Sequence, residues 1–431
     1  MRWSMPLAAS TSFHLHDHAE RFHDLGYHVV RQTYRSDAMS LRPGEVVFTD
    51  KDHFVLQFPH VKGSYAITRF QAEALRTWKS RLEPGQTLGN CCKGPFLGDT
   101  SLPRSAKREP TVTFVLCKVV DEAGASVPLD EVYNHHWLVF NSQGNRGVCG
   151  GFLTYIFGVG QESRRTPVAF PDGTGYLAQG DWRWTANIHL LRTQGLRADY
   201  GESQAVKDCI ECSYHVGKGC RPHETGTFAC CQDHSFCPVD GSVGGRKNYY
   251  LSYTMEYTQD VGAIEPVRIF VLDGSNCAIE YNIEANDANP YQVTQHSWIA
   301  PSSGDIAFAQ GHVHNAGVNI TLLVNDEVAC VSIPRYGTEP KTPGNEKGFI
   351  VEFSTCRTKF VIKAGDRIGV RAVYYVGHND TTGSGVPGGS HGGVMALFYL
   401  GAVESTLRDA GGEVVKNPWQ LEWQPAHAVL V

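Results

Sequence analysis

Five histidines and one methionine are the residues of this chain with the clearest capacity for chemistry. They lie on segments that read as β-strands: His135, His136, His189, His312, His314 and Met395. Imidazole binds zinc, copper, iron and nickel, whereas a thioether is a soft ligand that selects Cu(I). Adjacent histidines, a His-x-His pair and a methionine together predict two copper ions rather than a zinc or an iron site.

The strand period determines which of these side chains can share a metal ion. Residues i and i+2 of a strand project from one face, so His312 and His314 can offer two imidazoles to one ion. His135 and His136 are neighbours, and they face opposite ways unless a bulge or a strong twist turns them together. As an alternative to metal binding, one histidine of this pair would be buried and the other would face solvent. Likewise, Met395 would only fill a hydrophobic core.

The elements that must position these residues are predicted to be strands. Segments rich in Val, Ile, Phe, Tyr and Trp alternate with the turn sequences DEAG, FPDGTG and LDGSN, and 45 glycines supply many tight turns. The predicted fold is all-β, with two consecutive antiparallel β-sandwich, jelly-roll-like domains and a disulfide-rich insertion between them. Taken alone, His189 in such a strand is typical of a structural polar residue.

The predicted domain boundaries follow the strand signals and the cysteines. They are an N-terminal arm at 1–38, a first sandwich with a three-His copper site at 39–208, a cysteine-rich connecting segment at 209–246, a second sandwich with a His-His-Met copper site at 247–405, and a C-terminal tail at 406–431. Within the connecting segment the cysteines from Cys209 to Cys237 have spacings that zinc ligands also show, but a disulfide-stapled loop is favoured.

Composition limits the cellular setting and the partners. The 431 residues carry a net charge of −6 without long charged blocks, so neither nucleic acid nor an anionic membrane surface is an expected partner. No apolar stretch is long enough to span a bilayer. Thirteen cysteines and two glycosylation sequons, at Asn319 and Asn379, predict a secreted or secretory-pathway glycoprotein, although the start MRWSMPLAAS lacks the apolar core of a signal peptide.

Several runs of sequence together resemble the stress-upregulated nodulin (SURNOD) family of plants and related organisms. The runs are DEAGASVPLDEVYNHHWLVF, GVGQESRRTP, WTANIHLLRTQG, DCIECSY, ACCQDHSFC and HGGVMALFYLG. That family is in turn similar to the copper type II, ascorbate-dependent monooxygenases, which include peptidylglycine α-hydroxylating monooxygenase and dopamine β-monooxygenase. The resemblance implies two consecutive antiparallel β-sandwiches, each holding one copper at their facing surfaces.

The resemblance also implies a role for each candidate residue. By this likeness the electron-transfer copper of the first domain would be held by His135, His136 and His189. The oxygen-binding copper of the second would be held by His312, His314 and Met395, and Tyr399 would line the substrate pocket.

The substrate side of the resemblance departs from the peptide hydroxylases. Gln310 stands where those enzymes place an arginine that binds the substrate carboxylate, and Gln cannot form the bidentate charged pair. Leu397 replaces an asparagine, and a cysteine pair of the family falls at Ala372 and Ala396. A glycine-extended peptide is therefore not the expected substrate, and another small-molecule or peptide-like substrate is expected.

The expected function is a secreted copper-dependent monooxygenase that hydroxylates a C–H bond with O2 and ascorbate or a similar reductant. The alternative is a non-catalytic copper-binding protein or a structural extracellular protein of the nodulin-like family, with extracellular assembly partners. The ligand set favours a copper protein over a purely structural module, because a scaffold does not need those side chains.

Overall fold

The described part of the chain folds into β-strands. The computed structural model describes residues 13–43, 46–48, 54–56, 63–71, 118–141, 148–149, 156–195, 210–211, 228–229, 244–356, 360–377, 389–415 and 424–425. Within these ranges the other regular elements are short 3-10 turns, at Gln161–Arg164, Val261–Ala263 and Glu404–Thr406. The predicted all-β class is confirmed. None of the elements in these ranges is an apolar helix of bilayer-spanning length.

Thirteen of the first fifteen strands form the first half of the molecule, a sandwich of two packed sheets. One sheet contains β1 (Phe13–Phe22), β2 (His28–Ser36), β3 (Met39–Leu41), β6 (Ser64–Gln71), β7 (Lys118–Val120), β10 (Val168–Ala169), β11 (Thr174–Gln179) and β15 (Lys247–Thr258). The other contains β4 (Val46–Phe48), β5 (Phe54–Leu56), β8 (Val132–Asn141), β9 (Phe157–Gly160) and β12 (Trp184–Arg192), while β13 (Ile210–Glu211) pairs with β14 (Phe228–Ala229). Apolar side chains of both sheets, such as Trp137, Trp184 and Tyr253, form the first core.

The second half repeats this arrangement with the remaining strands. One sheet contains β16 (Glu265–Asp273), β19 (Gly304–Val313), β24 (Thr355–Cys356), β25 (Phe360–Ile362) and β28 (Ala396–Val403). The other contains β18 (Tyr291–Ile299), β20 (Gly317–Val324), β21 (Glu327–Ser332), β26 (Arg367–Tyr375) and β29 (Gln424–Pro425). Two short ladders pair β17 (Tyr281–Ile283) with β27 (His391–Val394) and β22 (Pro334–Tyr336) with β23 (Ile350–Phe353). Trp298, Tyr374 and Phe398 lie in the second core.

Two segments that the sequence placed elsewhere take part in the first half. Residues 13–36, expected in an N-terminal arm, include β1 and β2, and β2 pairs with β15. Strand β15, expected in the second sandwich, also pairs with β6. An antiparallel partner is selected by a matching face rather than by closeness along the chain, so local patterns did not reveal these pairings. The cysteine-rich segment 209–246 lies largely outside the described residues.

The two halves are joined along a continuous sheet. Strands β11 and β16 pair in parallel through Thr174–Glu265 and Gly175–Pro266, so a 13-stranded sheet runs from one half into the other. A disulfide between Cys149 and Cys277 links the halves covalently. The halves therefore form one body over the described residues.

Strand β28 lies between the two cores. Because successive strand residues face opposite ways, Leu397 and Tyr399 pack in the first core while Ala396 and Phe398 pack in the second. Met395, which immediately precedes the strand, packs in the first core as well. The face of β28 that carries Met395 therefore points toward the first half.

Candidate metal centre

A β-bulge in β8 brings the adjacent histidines of the first half together. Along the β8–β12 ladder His136 pairs with His189 and Asn134 pairs with Leu190, so His135 is the extra residue. With the bulge, one ligand atom from each of His135, His136 and His189 lies within 4.8 Å of the others. The bulge that joint ligation by neighbouring histidines requires is thus present.

The ring nitrogens of this group converge. His135 Nδ1 and His136 Nδ1 lie 3.1 Å apart, and the ring centroids of His136 and His189 are 4.1 Å apart. Asn187 Oδ1 lies 3.1 Å from His136 Nε2, and because an amide oxygen only accepts, the Nε2–H group donates to it. That hydrogen bond leaves the lone pair on His136 Nδ1, the nitrogen next to His135 Nδ1, as the donor for a metal ion.

Burial keeps these imidazoles neutral. It lowers the pKa of His135, His136 and His189 well below the ordinary histidine value, since the interior disfavours the charged form. Repulsion from the neighbouring imidazoles lowers the pKa of His135 and His136 further. A transition metal binds only the neutral ring, so these histidines are ready to act as ligands near neutral pH.

The second group lies at the end of β19. His312 and His314 are two residues apart, with ring centroids at 5.3 Å and an interplanar angle of 85°. His312 is buried, His314 is half-buried, and burial lowers the pKa of His314 well below its usual value. Both imidazoles thus occupy the same end of one strand, as the His-x-His spacing predicts.

Met395 immediately precedes β28, the strand that pairs with β19. In the β19–β28 ladder His312 is opposite Leu397 and Val313 is opposite Ala396, so His314 and Met395 are the residues directly beyond the last pair of the ladder. The Tyr374 hydroxyl accepts a hydrogen bond from the His314 backbone N–H at 3.1 Å and donates one to the Met395 carbonyl oxygen. The backbones of His314 and Met395 are thereby tied to one hydroxyl.

The two histidine groups are in direct ring contact. The ring centroids of His135 and His314 are 5.0 Å apart, with an interplanar angle of 85°. The imidazoles form a continuous chain, in the order His189, His136, His135, His314 and His312. We call this set the histidine cluster. The resemblance implies one copper in each of two facing domains, and the cluster brings both ligand groups to one place at the junction of the halves.

The residues expected on the substrate side are packed. Tyr399 is buried in the first core, opposite Gln310 in the β19–β28 ladder. Gln310 is buried too, and its Oε1 accepts a hydrogen bond from the Thr355 hydroxyl at 3.1 Å. The role of Tyr399 in substrate binding remains a prediction.

Sequence reasoning missed one acidic residue beside the cluster. Glu162 is buried on the turn Gln161–Arg164, and its Oε1 lies 2.9 Å from His312 Nδ1. It lies in the run GVGQESRRTP, which carried the family resemblance, but its spacing from His312 by 150 positions leaves no local signal.

The fold and the site define an all-β protein with two joined sandwich halves and a buried histidine cluster where they meet. The chain belongs to the family described as stress up-regulated Nod 19, whose family model matches residues 140–405. His135 and His136 lie just before that match, and His189, His312, His314 and Met395 lie inside it.

Other comparisons are weaker. A solved structure described as recombinant peptide: N-glycanase F (PNGase F) has a TM-score of 0.28 and 10% sequence identity, covering 86% of this chain and 95% of that chain. At this TM-score the likeness establishes neither a shared fold nor a shared activity. None of the curated proteins matches the sequence.

Proposed function

We propose that this protein is a secreted copper-dependent monooxygenase that hydroxylates a C–H bond with O2 and ascorbate or a similar reductant. The observation that carries the proposal is the convergence of His135, His136 and His189, with their ligand atoms within 4.8 Å of one another. The disulfides Cys149–Cys277 and Cys330–Cys356 are compatible with a secretory setting.

The donor set fits copper. Three buried neutral imidazoles on one side and a His-x-His pair beside a methionine on the other are ligands of the softness that copper accepts in both oxidation states. Bound copper would supply one-electron redox chemistry and oxygen activation.

The protein's own residues would supply orientation and protection from water. Asn187 fixes the ring of His136 through its Nε2–H, and the bulge at His135 aims the adjacent ring at the same point. The contact between His135 and His314 leaves a short path between the two ligand groups. Burial of the rings excludes bulk water from the nitrogen atoms.

A second candidate is a copper-binding protein without an oxygenase cycle. The observation that favours it is the burial of the candidate ligands, because His189 is only 1% exposed and His135 only 5% exposed. A buried ion pair between Arg164 and Glu346 and the disulfide at Cys149 hold the halves together around the cluster. Such a site retains a metal ion well, but it restricts the approach of a large substrate.

Copper content and oxygen uptake separate the candidates. The metal content of protein purified without chelator, and its titration with Cu(I), should show two sites in the wild-type protein, with His189→Ala losing the first and Met395→Leu weakening the second. Met395→Leu conserves side-chain volume, so its folding should be little affected. His296→Ala, a change in β18 away from the cluster, serves as the matched control.

Ascorbate-driven oxygen consumption then distinguishes catalysis from storage. A monooxygenase consumes O2 with copper loaded, and His189→Ala abolishes the uptake. Copper binding without ligand-dependent oxygen uptake would support the second candidate. A wild-type protein that binds no copper would refute both.

A further inference from the structure

Glu162 is a carboxylate of the first half that reaches a histidine of the second. It follows β9 directly, on the turn Gln161–Arg164, two residues after Gly160, which pairs with His136 in the β8–β9 ladder. Glu162 is 1% exposed, and its Oε1 lies 2.9 Å from His312 Nδ1. The residue therefore connects the strand beside the first histidine group with a ligand of the second.

The surroundings of Glu162 hold its side chain in place. A Cβ added at Gly160 would lie 2.7 Å from the His135 carbonyl oxygen, 3.0 Å from Glu162 Oε2 and 3.2 Å from His312 Cε1. Only glycine leaves space for the carboxylate and the imidazole to meet at this point. The absence of a side chain at Gly160 is thus part of how the pair forms.

Neighbouring residues of the same turn fasten it to the second half. Gln161 Oε1 accepts a hydrogen bond from the Ile350 backbone N–H at 3.1 Å. Arg164 forms a buried ion pair with Glu346. With an anchor on each side, Glu162 has little freedom to turn away from His312.

The second carboxylate oxygen of Glu162 can still accept hydrogen bonds. Oε2 of Glu162 is buried, and it has no hydrogen-bond partner among the described residues. A buried charge without full compensation is costly, and a cation bound at the adjacent imidazoles would offset it. The carboxylate is thus suited to a neighbour that carries positive charge.

We infer that Glu162 is the residue that positions His312 for copper, by accepting a hydrogen bond from Nδ1–H and leaving Nε2 to bind the metal. The inference rests on the proposed function. The contact places a carboxylate oxygen, a hydrogen-bond acceptor, 2.9 Å from His312 Nδ1, which is the geometry that the Nδ1–H tautomer satisfies. Carboxylate–histidine pairs of this kind fix the tautomer and the ring orientation of a ligand. The second metal site is therefore incomplete without the first half.

Cu(I) affinity tests the positioning role. Titration against a chromophoric Cu(I) chelator should show that Glu162→Leu, which fills similar volume without a polar group, weakens the second site about 10- to 100-fold. Glu162→Gln keeps an acceptor for Nδ1–H and should give a smaller loss. Affinity at the first site should be unchanged in both variants. Glu327→Gln, at an exposed position at the start of β21, is the matched control and should leave both sites as in the wild type.

A metal-free readout separates this inference from the proposed function. Selective 15N-histidine labelling reports the tautomer of His312, assigned by the resonances that His312→Gln removes. The wild-type protein should show the Nδ1–H form, and Glu162→Leu should lose that preference. Wild-type protein with the Nε2–H form, or copper-binding protein whose second-site affinity is the same in Glu162→Leu, would overturn the inference and leave the proposed function standing. If Glu162→Leu does not fold, the wild-type tautomer and Glu162→Gln decide the question. A wild-type protein that binds no copper would overturn the proposed function and, with it, the inference.

Discussion

The imidazoles of His135 and His314 stand edge to face, with their centroids 5.0 Å apart, and they come from opposite halves of the molecule. This contact makes the two candidate ligand groups neighbours. A change in one group should therefore alter the electronic environment of a metal ion held by the other.

Removal of His314 should change the spectrum of copper at the first group. With one equivalent of Cu(II) bound at His135, His136 and His189, the electron paramagnetic resonance spectrum of His314→Ala should differ from that of the wild type. The reason is that His314 borders His135, so its loss changes the ring's contacts and the local polarity. His296→Ala should reproduce the wild-type spectrum. Superimposable spectra for His314→Ala and the wild type would show that the two groups do not influence each other.

The Tyr374 hydroxyl should contribute to stability and to the second site. Tyr374→Phe leaves the His314 N–H and the buried Met395 carbonyl without this partner, which should cost about 1–3 kcal/mol in the free energy of unfolding. Urea denaturation of the metal-free protein measures the cost, and Cu(I) affinity should fall because His314 and Met395 lose their shared anchor. Tyr291→Phe, at an exposed tyrosine, should change neither quantity. An equal stability for the two variants would contradict this role.

Gly160 should not tolerate a side chain. In Gly160→Ala the new Cβ would lie 2.7 Å from the backbone oxygen of His135, and a backbone atom cannot rotate away as a side chain can. We expect a loss of about 1–3 kcal/mol in the free energy of unfolding, together with weaker copper binding, because the bulge must shift. Gly262→Ala has open space around the added carbon and is the control. Wild-type copper affinity and stability in Gly160→Ala would refute the close packing of the bulge.

The stability of the metal-free protein should fall as the pH is lowered below the ordinary histidine pKa. The pKa of His135, His136, His189 and His314 is lowered in the folded state, so below about pH 6.5 the unfolded state takes up protons that the folded state does not. Each such histidine contributes up to about 1.4 kcal/mol of lost stability per pH unit, until the pH reaches its folded-state pKa. Above the pKa of the unfolded state, the histidine is neutral in both states, and its contribution to the free energy of unfolding does not change with pH.

Urea denaturation in the presence of a chelator, at a series of pH values from about 7 down to 5, measures this slope. His189→Gln removes one of the titrating groups, so its stability should depend less on pH than that of the wild type. An identical slope in both proteins would show that His189 is not a neutral buried histidine.

The two histidine groups differ in how much of their geometry the sequence alone could predict. His312 lies in β19 and His314 directly follows the strand, with ring centroids 5.3 Å apart, and the two-residue period of a strand predicted this proximity from the sequence. The adjacency of His135 and His136 predicted joint ligation only if a bulge were present, and a bulge depends on the partner strand. The opposing strand β12 supplies it, through the pairing of His136 with His189 and of Asn134 with Leu190.

The amino-acid sequence by itself determined the all-β class, the family and the chemical types of the candidate ligands, because alternation and residue identity are local properties. The tertiary structure decided that β15 belongs with the first half, that both histidine groups meet at the junction, and that Glu162 faces His312. Such contacts join residues far apart in the chain: the hydrogen bond between Thr33 of β2 and Thr254 of β15 spans 221 positions. Such partners are selected by the packing of whole sheets, and no local pattern of residues encodes that selection.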